Sequence, residues 1–180
     1  YPIVCIFGHL FVDGNYSNGW RVHKDNFSWL VSTLNIIKDI KDVYWIVKPH
    51  PLEKSYNTFT TTELEVKMFS KRYNHIRFAD KSVSNIFLKK NISATVSSHG
   101  TAPLEYASFG IPSIVCANTR YSKLGFLNTA TNEEEYKDLL KNVKKLKKLS
   151  KKNVKKANVF SYLTGKLVLA DSEIIPETLS

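Results

Sequence analysis

Ser93-Ala94-Thr95-Val96-Ser97-Ser98-His99-Gly100-Thr101-Ala102-Pro103-Leu104-Glu105 is the stretch on which the reading of this chain turns. Its opening, SATVS, is a short run with β-branched residues, the pattern of a strand covered on both faces. Small hydroxyl residues and a glycine follow. Pro103 then stands where a first helical turn begins, a position for which proline is preorganised. A strand that passes through a tight turn into a helix is half of a βαβ unit, so the question is whether the flanking sequence repeats it.

It does. Residues 2–8 (PIVCIFG), 43–48 (VYWIVK), 75–78 (HIRF) and 113–116 (SIVC) are further short runs rich in Val, Ile and aromatics. Between them, helices are predicted over 25–40, 61–69, 82–88, 103–109 and 133–149. Asp25 or Asn26, Ser82, and Thr131 or Asn132 are candidate caps, and Gly110 is a candidate stop. In 25–40 the residues Phe27, Leu30, Val31, Leu34 and Ile37 recur at helical spacing. Strand and helix in alternation imply parallel strands joined by right-handed crossovers. The expectation is a Rossmann-like three-layer α/β/α domain with a mostly parallel sheet over 1–165, followed by a C-terminal tail over 166–180.

Length and composition agree with one such domain. The 180 residues suffice for a full core, and with 43% hydrophobic and 23% charged residues the chain is not of disordered type. No apolar run has the length of a membrane span, and no basic segment followed by an apolar one opens the chain. The absence of a starting methionine points to a fragment of a longer protein. Cys5 and Cys116 are isolated in apolar runs, which fits neither a disulfide framework nor a zinc ribbon and favours a reduced, cytoplasmic setting. No metal cluster of His, Cys and acids is spaced for ligation, and no D-x-D pair is present to hold a metal-bound diphosphate. Neither G-x-G-x-x-G after the first strand nor G-x4-G-K-(S/T) occurs, which argues against dinucleotide and ATP chemistry.

In an open parallel sheet, ligands bind outside the carboxyl ends of the strands. Two loops there hold candidate chemistry. Lys48-Pro49-His50-Pro51 follows the second strand, and the two prolines keep the backbone extended, so His50 projects from a stiff strand end. Its imidazole can donate to a phosphate oxygen, with Lys48 adding charge; the alternative is a histidine that caps a turn. The second loop, Ser97-Ser98-His99-Gly100-Thr101, combines hydroxyls with a glycine that permits close backbone approach, ahead of the helix-start amides. Glu105 lies within the next turn, where a carboxylate can accept both hydroxyls of a ribose. The alternative there is an ordinary cap, with Ser98 or Thr101 as capping residue and Glu105 as its partner. His99 is either a further phosphate ligand or a cap. His9 and Asp13, at the end of the first strand, are either sugar contacts or part of an Asp13-Gly14-Asn15 turn.

KPHP, then SSHGT, then a helix closing as E-x4-G-x-P-x-(I/V)-V resembles the nucleotide-sugar-binding half of GT-B glycosyltransferases. The likeness extends to bacterial capsule-polysaccharide enzymes, among them Kdo transferases and sialyl- or polysialyltransferases with their HP and SS motifs. It covers about residues 3–118. The resemblance implies that His50, Ser97 and Ser98 contact the donor phosphate as catalytic groups and that Glu105 holds the ribose; Lys48, Gly100 and Thr101 are further donor-site candidates from the loops themselves, as is His99, which departs from the family pattern. It also implies a CMP- or UDP-linked sugar as substrate with no separate cofactor, inversion without a metal, and a missing N-terminal domain that binds a glycan or glycolipid acceptor and supplies the base. Two alternatives remain: a teichoic-acid type transferase using CDP-glycerol or CDP-ribitol, and a non-catalytic nucleotide-binding module.

Charge forms a separate feature. Of the formal +10, nearly all lies between Lys137 and Lys156, where ten lysines stand against the single acid Asp138. Leu139, Leu140, Val143, Leu146 and Leu149 would form the apolar stripe of one helix, with the lysines on its other faces. The block is either a solvated surface, a peripheral contact with the anionic inner face of a membrane, or a contact with an anionic glycan or nucleic acid. Charge confined to one block without arginine speaks against a nucleic-acid binder.

Overall fold

A computed structural model of the chain describes residues 1–12, 19–56, 58–80 and 83–174, with 166–174 described by backbone alone. Asp13, Gly14, Asn15 and the candidate cap Ser82 lie outside the described residues. Among the described residues the elements run β1 (Ile3–Phe7), α1 (Asn26–Ile37), β2 (Tyr44–Lys48), α2 (Thr62–Ser70), β3 (Ile76–Phe78), α3 (Asn85–Asn91), β4 (Ala94–Ser97), α4 (Ala102–Ala107), β5 (Ser113–Val115), β6 (Asn128–Thr129), α5 (Glu133–Lys141) and α6 (Lys151–Ile174), strand and helix alternating from β1 to β5.

The sheet runs β3-β2-β1-β4-β5-β6 with every pair parallel. The chain therefore winds outward from β1 to β3, returns beside β1, and winds the other way. This is a doubly wound Rossmann-like order with its switch point between β1 and β4. Ile6 pairs with Val96, so the chain leaving β1 and the chain leaving β4 emerge side by side.

β1 shows why the sheet is covered on both faces. Val4 and Ile6 enter a large core with Trp29, Leu30 and Leu34 of α1 and Tyr136 and Leu140 of α5. Cys5 joins Leu88, Ile92, Tyr106 and Ile111 on the opposite side. Trp29 and Tyr136 are fully buried, and their polar atoms close a ring: Trp29 Nε1 donates to Tyr136 Oη at 2.9 Å, Tyr136 Oη lies 2.8 Å from Thr33 Oγ1, and Thr33 donates to the Trp29 carbonyl at 2.7 Å. Buried donors and acceptors are thus matched, which removes the cost of leaving them unpaired. The ring ties α5 to α1.

Caps fix several boundaries. Asp25 accepts from the Ser28 amide, and Asn132 from the Glu135 amide. Ser84 caps α3 through the Phe87 amide. Gly110 takes φ +76° and ends the turn after α4.

The single helix expected over 133–149 does not form. α5 stops at Lys141, a short 3-10 turn covers Val143–Lys145, and the chain then runs extended until α6 begins at Lys151. The helical spacing of the leucines is real, but two contacts override it. Val143 inserts into the α1 side of the core, while the Leu149 amide donates to the Gly110 carbonyl at 2.9 Å on the opposite side. α6 then packs on α4 through Ala157, with Phe160 beside it, and continues across residue 165 to Ile174.

Candidate functional site

The loops that leave β1, β2 and β4 converge on a cavity of about 630 Å³ at the switch point. Lys48, His50, Ser97, His99, Gly100, Thr101 and Glu105 all line it, so the two loops singled out in the sequence form one site. His9 joins them from β1.

His9 is the hub. Its ring is nearly buried, stacked on His99 at 4.2 Å and 8°, and set edge-on to Trp29 at 5.3 Å. Ser97 donates its hydroxyl proton to the His99 carbonyl at 2.6 Å, and its Oγ lies 2.9 Å from His9 Nε2, which also lies 3.5 Å from the His99 amide. Burial holds the His9 pKa well below the ordinary histidine range, and the charges of His99, His50 and Arg21 act in the same direction. His9 is thus a neutral imidazole, oriented by a fully buried serine.

Gly100 takes φ +89°, a conformation that side-chain-bearing residues rarely adopt. A Cβ there would also meet His9 Cε1 at 3.3 Å. The glycine therefore serves the histidine pair as well as the turn.

His50 both caps a turn and faces the cavity. Its Nδ1 accepts the Leu52 amide at 3.2 Å, so in the neutral ring the proton sits on Nε2. Lys48 is held in the wall, donating to the Val83 carbonyl at 2.9 Å and to Asn85 Oδ1 at 2.8 Å. It adds positive charge without being a freely swinging ligand.

Two site expectations need correction. Ser98 does not line the cavity: it is nearly buried, and its side chain bonds to Cys116, whose thiol is pushed up to about 12 by burial. The capping alternative also fails. Thr101 occupies the cap position of α4 but makes no side-chain cap bond, and Glu105 pairs with Lys89 at 2.9 Å. The partly exposed Glu105 carboxylate therefore stands on the cavity rim, shared with a second depression of about 1200 Å³ bordered by Phe109, Arg120, Tyr121 and Phe160.

Sequence reasoning underrated His9, because a lone histidine before turn-forming residues has no pattern of its own. The signal was topological: in this strand order the residues after β1 must adjoin those after β4. Among the described residues, no group of three or more His, Cys, Asp or Glu side chains is arranged to hold a metal ion, and no helix is long and apolar enough to cross a membrane.

Fold and crevice together define an α/β Rossmann-like domain with a cavity at its switch point. Among solved structures, Staphylococcus aureus MnaA bound to UDP is similar at a TM-score of 0.53 and 12% identity, over 79% of this chain and 37% of that one. The UDP-GlcNAc 2-epimerase of Methanocaldococcus jannaschii, in complex with UDP-GlcNAc and UDP, gives 0.50 and 16%, over 89% and 45%. The Thermosulfurimonas dismutans KpsC, a beta Kdo 2,7 transferase, gives 0.49 and 14%, over 85% and 43%. The structural likeness to the two UDP-complexed proteins establishes a shared fold and no more, and the chain spans less than half the length of each solved protein. No protein-family model matches the chain, and no curated protein does.

Proposed function

We propose that this chain is the donor-binding domain of a metal-independent, inverting glycosyltransferase that uses a CMP- or UDP-linked sugar in bacterial surface-polysaccharide synthesis. The observation that carries the reading is the convergence of His50 and the His9–Ser97–His99 chain on one cavity at the switch point. Fold likeness to proteins solved with UDP or UDP-GlcNAc supports it.

The reaction breaks the bond between the anomeric carbon and a phosphate oxygen, and charge grows on that phosphate as it leaves. Donors fixed before the reaction stabilise such charge without reorganising, and they accelerate the step only if they bind the departing phosphate more strongly than the ground state. In this reading His50 Nε2–H and the amides around Gly100 are those donors, Lys48 supplies positive charge, and Glu105 accepts the ribose hydroxyls. Ser97 acts through His9 as a positioning residue, since its own proton is committed to the His99 carbonyl. Ser98 supports the floor beside Cys116 and is given no phosphate contact. The acceptor and the base that deprotonates it belong to the domain that would face this cavity.

Calorimetric titration with CMP, CDP, UMP, UDP and ADP tests the assignment. Micromolar to low-millimolar binding of a cytidine or uridine nucleotide is expected, about −4 to −8 kcal/mol, with His50→Ala weakening it about tenfold or more. A preference for CDP-glycerol over every CMP- or UDP-sugar would select the teichoic-acid type transferase instead. Absence of binding by the folded chain, or indifference to His50→Ala, would overturn the site.

A further inference from the structure

The other end of the same sheet carries chemistry that the nucleotide reading leaves unused. Tyr1 precedes β1, Lys41 and Tyr44 stand at the entrance to β2, and Arg72 and Tyr73 precede β3, which contributes Arg77. These residues line an open groove of about 770 Å³ at the amino ends of the strands. Tyr44 is 48% exposed, its ring centroid 5.9 Å from that of Tyr1 and the planes inclined at 52°. Among the described residues the side chains of Lys41 and Arg72 make no hydrogen bond or ion pair, and Arg77 uses one N–H on the Ile76 carbonyl at 3.1 Å. Asp42, an acid beside Lys41, is neutralised by Lys144 of the lysine block, which brings that block to the same end of the molecule. Lys145, Lys147 and Lys148 continue it as exposed side chains.

Cations alternating with exposed tyrosines in a concave surface suit a chain of rings that bears negative charges. Guanidinium groups meet carboxylates in a planar, paired geometry, and a tyrosine face offers an apolar platform beside a polar edge. A flat bilayer cannot enter a groove.

We propose that this groove binds an acidic glycan, a polymer of sugar rings carrying carboxylates. The positive charge of the groove stands independently of the nucleotide site; the choice of a glycan over other polyanions rests on the proposed function.

Fluorescence anisotropy with a labelled linear oligogalacturonate tests it on the 180-residue chain. Dextran of equal length, oligothymidylate of equal charge and vesicles containing anionic phospholipid serve as competing probes. The uronate is expected to bind and dextran not to. The double reversal Arg72→Glu and Arg77→Glu should weaken uronate binding about tenfold or more, and Tyr44→Ala, which leaves charge unchanged, several-fold. Nucleotide titrations of the same variants should be unaltered, so loss of the groove and loss of the nucleotide site are read separately. Tighter binding of oligothymidylate than uronate, binding to anionic vesicles alone, indifference to charge reversal, or no binding to any probe would overturn the proposal.

Discussion

The two ends of the sheet differ in how their polar groups are held. At the carboxyl ends, His9 is 9% exposed, neutral, stacked and hydrogen-bonded to a buried serine. At the amino ends, Tyr44 is 48% exposed and the Arg72 guanidinium touches no partner among the described residues. The first arrangement has met its ordering cost during folding, which suits a small ligand of fixed shape; the second is adaptable and permanently charged, which suits a polymer. The same strands thus build a preorganised pocket at one end and an open groove at the other.

Removing what supports the pocket should have the largest effect. Trp29→Ala deletes a fully buried side chain beneath His9 and breaks the Tyr136 ring, so chemical denaturation should show a loss of about 3–5 kcal/mol. Tyr44→Ala, at the exposed end, should stay within about 0.5 kcal/mol of the parent. Equal losses would erase the contrast.

Gly100→Ala comes next. A Cβ at φ +89° is strained by about 1–2 kcal/mol and presses on His9, so calorimetry should show nucleotide affinity falling about tenfold while uronate binding is unchanged.

Acidity provides a third separation. His9 has a lower pKa folded than unfolded, so below the ordinary value of 6.5 the unfolded chain binds the extra proton. Stability therefore rises with pH through that window and is lost as pH falls below about 6.5. His23 is lowered in the same direction by burial and adds to the slope. Thermal unfolding between pH 5 and 7.5 should flatten in His9→Gln, and an unchanged slope would mean that His9 does not carry this term. Smallest of all, Lys144→Ala should leave the melting temperature nearly unchanged, since both partners of that ion pair are well exposed.

The carboxyl end was the more legible in the sequence. The strands that form β1 and β2 announce themselves by consecutive apolar residues and β4 by its β-branched ones, and strand order then brings KPHP and SSHGT together. Ser98 was misassigned because adjacent residues at a strand end point to opposite sides, and the one facing the cavity is Ser97. The helix expected over 133–149 failed because leucine spacing cannot reveal that Val143 and Leu149 serve opposite sides of the sheet. β6 was not read at all, since Asn128 and Thr129 make a two-residue polar strand with no pattern. The amino-end groove was invisible for a related reason: its tyrosines and cations are scattered from Tyr1 to Arg77, and only parallel pairing gathers them.

Histidine side-chain resonances followed by NMR during nucleotide titration test the central claim most directly, because the chain carries five histidines placed around both ends. His9, His50 and His99 should shift together on addition of CMP or UDP, while His75, bonded to the Ile37 carbonyl at the amino end, stays still. A saturable shift confined to His75, or no shift in the three cavity histidines, would contradict a nucleotide site at the switch point.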